Sequence, residues 1–107
     1  MPKYLFQASY TTEGAKGLLK EGGTKRRAAV EQLLKSVGGK LEAFYFALGE
    51  SDVFLLVDAP DNVSVVAVSL ATAAAGAVTN LRTSVLLTPE ELDQATKKSV
   101  SYRPPGQ

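Results

Sequence analysis

Two apolar runs separated by four turn-type residues constrain the fold of this chain most. "KLEAFYFAL" (40–48) and the apolar run from Val53 in "DVFLLVDA" (52–59) flank Gly49-Glu50-Ser51-Asp52. The intervening residues favour turns, so the chain reverses there and returns into the same sheet as a β-hairpin. Near-continuous apolar runs such as "AFYFAL" and "VFLLV" are the pattern of strands buried on both faces. A sheet built on this hairpin therefore needs cover on each side.

The flanking segments supply the rest of an α+β domain. "KYLFQASY" (3–10) alternates, with Tyr4, Phe6, Ala8 and Tyr10 pointing one way and Leu5, Gln7 and Ser9 the other, which reads as a strand. Val30, Leu33, Leu34 and Val37 then form a stripe at helical spacing. The spacing predicts one long helix from about 12 to 37, capped by Thr12 with Glu13 just inside, kinked at Gly22-Gly23 and ended by Gly38-Gly39. Thr24 is the poorer cap, because Lys25-Arg26-Arg27 would place three cations in the first turn, against the helix dipole. Asp61 caps a second helix over 62–75, apolar nearly all round, which Gly76 ends. "VTNLRTSVLL" (78–87) is a fourth strand. Thr88, Pro89 and Glu91 fit the cap, first position and capping-box partner of a short C-terminal helix. Residues 99–107, "SVSYRPPGQ", form an extended tail.

The order βαββαβ followed by a short helix is the ferredoxin-like split βαβ arrangement. It predicts a single domain over residues 1–107, with a four-stranded antiparallel sheet of order 4-1-3-2 and both main helices on one face. A chain of 107 residues buries roughly two-thirds of its unfolded surface, enough for one core.

Composition narrows the chemistry. There is no His, Cys or Trp. That excludes Ser-His-Asp and Cys-His catalysis, imidazole or thiolate metal sites and a proximal His for haem. No cofactor and no metal is expected. A net charge of +1 gives no electrostatic footprint for nucleic acid or an anionic membrane. No run of apolar residues is long enough to mark a membrane span. "MPKYLFQASY" reads as a strand and not as a signal peptide, so a cytoplasmic protein of bacterial type is expected. Lys25-Arg26-Arg27 reads as a solvated helix face. Gly49–Asp52 reads as a turn before it reads as a catalytic loop.

The sheet face turned away from the helices carries the candidate site. Strict alternation puts Gln7, Ser9, Glu42, Phe44, Phe46, Phe54, Asp58, Asn80 and Arg82 there, among leucines. Such a patch marks an interface or a ligand groove. Two subunits stacking these faces would make a homodimer, or an assembly of dimers. In one reading the space between them is a pocket with aromatic walls and Arg82 anchors an organic anion. In the other it is a filled interface in which Arg82 pairs with Glu42 or Asp58.

The stretch "YLFQASYTTEGAKGLLKEGGTKRRAAVEQLLKSVGGKLEAFYFALGESDVFLLVDAPD" resembles the GYD-domain family, part of the dimeric α/β-barrel superfamily. The motif that names the family falls at the hairpin. Here it reads Gly49-Glu50-Ser51-Asp52, with the Gly and Asp in place at wider spacing and no Tyr. The resemblance implies a dimeric α/β barrel, a ferredoxin-like protomer and no assigned biochemical activity. Relatives in the superfamily include cofactor-independent monooxygenases, haem-degrading enzymes, muconolactone isomerases and ligand-sensing modules. The expected function is a homodimeric small-molecule-binding or accessory module. The alternative is a cofactor-independent isomerase or monooxygenase acting on a small aromatic or anionic molecule. That enzyme would need a Glu, Asp or Tyr with a pKa moved by burial as its acid or base, and Glu42 and Asp58 are the acidic candidates on this face.

Overall fold

A computed structural model describes residues 1–107. It is an α+β domain with one four-stranded antiparallel sheet and four helices. The strands are β1 (Lys3–Tyr10), β2 (Lys40–Phe46), β3 (Val53–Asp58) and β4 (Val78–Leu86). They lie in the order β2-β3-β1-β4, which is 4-1-3-2 read from the opposite edge. No helix is long and apolar enough to cross a membrane.

The single long helix expected over 12–37 is two helices, α1 (Thr12–Glu21) and α2 (Gly23–Lys35). Gly22 separates them with φ 82° and ψ 170°, a conformation that side-chain-bearing residues rarely adopt. Its N–H closes α1 on the Leu18 carbonyl, and its own carbonyl accepts from the Arg26 N–H to open α2. The cap of α1 is Thr11, one residue before the expected Thr12. Thr11 Oγ1 accepts from the Gly14 N–H at 3.1 Å and donates to the Gly76 carbonyl at 2.8 Å. The same hydroxyl thus starts one helix and fixes the exit of another.

The remaining terminators behave as their chemistry dictates. Asp61 Oδ1 accepts from the Ser64 N–H at 2.8 Å and starts α3 (Asn62–Ala75), which Gly76 ends in the left-handed region at φ 77°. That hydrogen bond from Ser64 holds the Asp61 carboxyl below its ordinary pKa. Thr88 and Glu91 form a reciprocal capping box on α4 (Pro89–Thr96). From Leu87 to Gln107 every residue is exposed, so α4 rests on its local capping alone.

The core lies between the sheet and the helices α2 and α3. Tyr4, Phe6, Ala8, Val53, Leu55 and Val57 supply the sheet side, Leu34 the α2 side, and Val65 and Val68 the α3 side. Tyr4, Leu34 and Val57 are at most 2% exposed. Full burial of one such aliphatic side chain contributes roughly 1.5–3 kcal/mol. The Tyr4 hydroxyl stays satisfied by donating to Asn62 Oδ1 at 2.7 Å at the start of α3.

Two irregularities reset the faces of the sheet. In β2 the register against β3 shifts between Leu41 and Ala43. Leu41 pairs with Val57 and points to the core, and one residue is then inserted. Beyond the bulge the alternation is inverted, so Phe44 (opposite Leu55) and Phe46 (opposite Val53) lie on the helix side. This corrects their expected placement on the open face, which Ala43 and Tyr45 occupy instead. In β4 the register shifts opposite Gln7 and Ser9, where Asn80 takes a left-handed φ of 50°. Asn tolerates that region better than most residues with a side chain.

Candidate functional site

The open face is organised as cross-strand rows. One row runs Tyr45–Phe54–Gln7–Arg82 across all four strands. The next runs Ala43–Leu56–Leu5–Ser84, and the third runs Lys40–Asp58–Lys3–Leu86. The rows grade from aromatic and cationic, through apolar, to an ionic cluster. Lys3 Nζ donates to Glu42 Oε2 at 2.7 Å and to Asp58 Oδ1 at 2.8 Å. Those bonds, Asp58's first, hold the Lys3 ammonium above its ordinary pKa.

Arg82 stands at the opposite end of the face, and its only side-chain bond within the chain is a neutral one. Its Nη2 donates to Ser51 Oγ at 3.2 Å. No carboxylate lies within ion-pair distance of it. Glu42 and Asp58, the partners expected for it in a filled interface, are both engaged by Lys3 within the same chain.

The hairpin loop is lashed to this end of the sheet. The Ala47 N–H donates to the Asp52 carbonyl at 2.8 Å, closing the loop over 48–51. Ser9 Oγ donates to the Glu50 carbonyl at 3.0 Å. The Asp52 N–H donates to the Ala8 carbonyl, and Asp52 Oδ2 accepts from the Tyr10 N–H at 2.9 Å. Asp52 thus satisfies the backbone where β1 leaves the ladder, and Ser51 is buried beneath Arg82.

The GYD domain model matches residues 4–96. The chain belongs to the GYD domain family. No curated protein and no solved structure matches it. In this GYD-domain chain the Gly49–Asp52 stretch is the hairpin loop just described, and its Asp carboxylate is committed to β1 backbone.

Of the nine residues expected to share the open face, Gln7, Ser9, Glu42, Phe54, Asp58 and Arg82 do so. They form two groups and not one. Gln7, Phe54, Arg82 and Ser9 gather near the hairpin, and Glu42 and Asp58 gather on Lys3. Their rows are four residues apart along β3, roughly 13 Å at strand spacing. Asn80 is exposed at the β4 bulge and acts through its backbone shape. Phe44 and Phe46 pack edge to face beneath α2, with ring centroids 5.0 Å apart. Sequence reasoning missed Tyr45 because strict alternation cannot register an inserted residue. It also missed Lys3, whose position opposite Asp58 follows from counting back along the antiparallel β1–β3 pair.

A second concave region lies on the helix side. Between α2, α3 and the sheet is a cleft of about 330 Å³, and 15 of its 18 lining residues are hydrophobic. Arg26 is its one charged residue. Lys25 and Arg27 are exposed as a solvated face requires, but Arg26 is turned inward and its side chain is 33% exposed. Tyr10 lines the same cleft, and burial pushes its phenol above the ordinary tyrosine pKa.

Proposed function

We propose that this GYD-domain protein is a homodimeric small-molecule-binding module that stacks two open sheet faces. The ligand is held at the Tyr45–Phe54–Gln7–Arg82 end. In this reading the protomer is ferredoxin-like and the pair forms a dimeric α/β barrel. The observation that carries it is Arg82: a permanent charge on the face that stacking would bury, with no carboxylate of its own chain to meet it. An organic anion supplies that charge, and Phe54 and Tyr45 in the same row supply aromatic walls. The leucine row beside it supplies apolar area for the stacked sheets. The enzyme reading draws less support, because both carboxylates it would use are already bonded to Lys3.

Light scattering at micromolar concentration should give at least twice 11.3 kDa. Thermal unfolding of the parent and of Arg82→Leu, each with a panel of small aromatic acids, tests the ligand site. The apoprotein should be as stable as the parent or more so, and the ligand-induced rise in Tm should vanish in the variant. A monomer in solution overturns the stacked module. A strongly destabilised Arg82→Leu, together with no ligand shift in the parent, overturns the anion site.

A further inference from the structure

The cleft on the helix side is independent of the open face, and its construction points to an occupant. Protein interiors leave few voids larger than a water molecule. A volume of about 330 Å³ falls instead in the range of ligand pockets, roughly 300–1,000 Å³. The space exists because the C-terminal half of α3 presents small side chains, Ala71, Thr72 and Ala75, to a sheet that answers with Phe6, Phe44 and Leu55. The Thr72 hydroxyl is spent on the Val68 carbonyl at 2.7 Å, which leaves a largely apolar wall.

Arg26 breaks that apolar lining. Its Nε is buried without a hydrogen-bond partner, the one side-chain polar atom of the chain in that condition. Buried donors are normally satisfied, so an orphaned one calls for an acceptor. Glu21 approaches the Arg26 Nη1 only at 4.0 Å and leaves Nε unmet. Tyr10, protonated at neutral pH, stands in the same wall as a second donor.

We propose that this cleft binds an aliphatic carboxylate, its chain lying between α2 and α3 over Phe6 and Leu55 and its carboxylate bonded by the Arg26 guanidinium. A guanidinium edge offers two parallel N–H donors that match a carboxylate, so Nε and one Nη are engaged together. The apolar walls select the chain by burial, and Arg26 selects the head by charge.

Isothermal titration calorimetry of the full chain with hexanoate, octanoate and decanoate, below their micellar concentrations, tests this directly. Affinity should rise with chain length, and methyl decanoate should bind about tenfold or more weakly than decanoate, the loss of one charge-assisted contact. Arg26→Gln should lose the same factor for the acid while leaving the ester unchanged. Ala71→Phe, which fills the cleft, should abolish both. The acid–ester comparison needs no variant, so it stands even if a substitution impairs folding. Equal affinity for acid and ester, full binding by a folded Ala71→Phe protein, or no binding of any chain length overturns the proposal.

Discussion

On the helix side of the sheet, Tyr4, Phe6, Ala8, Val53, Leu55 and Val57 are buried, whereas their immediate neighbours Leu5, Gln7, Phe54 and Leu56 on the other side are half-covered. Leu55 and Leu56 are adjacent and chemically identical, so hydrophobicity does not separate them. The pleat sends one under α2 and α3 and the other to a face on which no helix lies. This chain makes more apolar strand surface than its own helices cover. The helix side leaves a cleft between α2 and α3 unfilled, and the open side is apolar in its middle row, with an aromatic and cationic row at one end and an ionic cluster at the other. These are different kinds of incompleteness. The first is a cleft formed within one protomer, and the second is a surface that no helix of the protomer covers.

Truncating neighbours that face opposite ways should separate the two sides most strongly. Phe6→Ala should cost about 3–5 kcal/mol in urea unfolding, as aromatic truncation in a packed core does. Leu5→Ala should cost under about 1 kcal/mol in the protomer. Its effect should grow with protein concentration if a second copy covers that face. Equal and concentration-independent losses would show that the two faces are not distinct.

The β2 bulge offers a finer test. Phe44→Ala should cost about 1.5–3 kcal/mol, because the ring lies under α2 against the core. Tyr45→Ala, at a position 69% exposed, should stay within about 0.5 kcal/mol in dilute solution. Strict alternation along β2 would reverse that order, so the pair of measurements decides which register holds.

The smallest effect belongs to the ionic end of the open face. Lys3 is bonded to Asp58 and Glu42, and its pKa is raised, so its stabilisation is fully present below the ordinary lysine pKa. It is lost as pH rises through the raised value. Lys3→Met should therefore melt slightly below the parent at neutral pH, and the two Tm values should converge in strongly alkaline buffer. A gap that widens with pH would mean that Lys3 is not the group holding this cluster.

Local chemistry made much of the fold legible in the residues themselves. Gly49–Asp52 between two apolar runs marked the hairpin, Asp61 and Gly76 bounded α3, and Thr88 with Glu91 marked α4. The strand order followed from the order of elements. Each of these rests on residues near one another in sequence, where propensity and hydrogen-bonding reach decide the outcome. What alternation missed is long-range. The inserted residue in β2 is defined only by its pairing with β3, and it moved Phe44 and Phe46 from the candidate site into the helix side. Gly22 reads as a kink in a helical pattern, and only the packed structure made it a break between two helices. Arg26 sits in a run of three cations that is indistinguishable from a solvated face until α2 is laid on the sheet. Periodicity records which side of its own element a residue occupies. Which sides meet, and which are left facing an unfilled space, is decided by tertiary contacts between residues far apart in the chain.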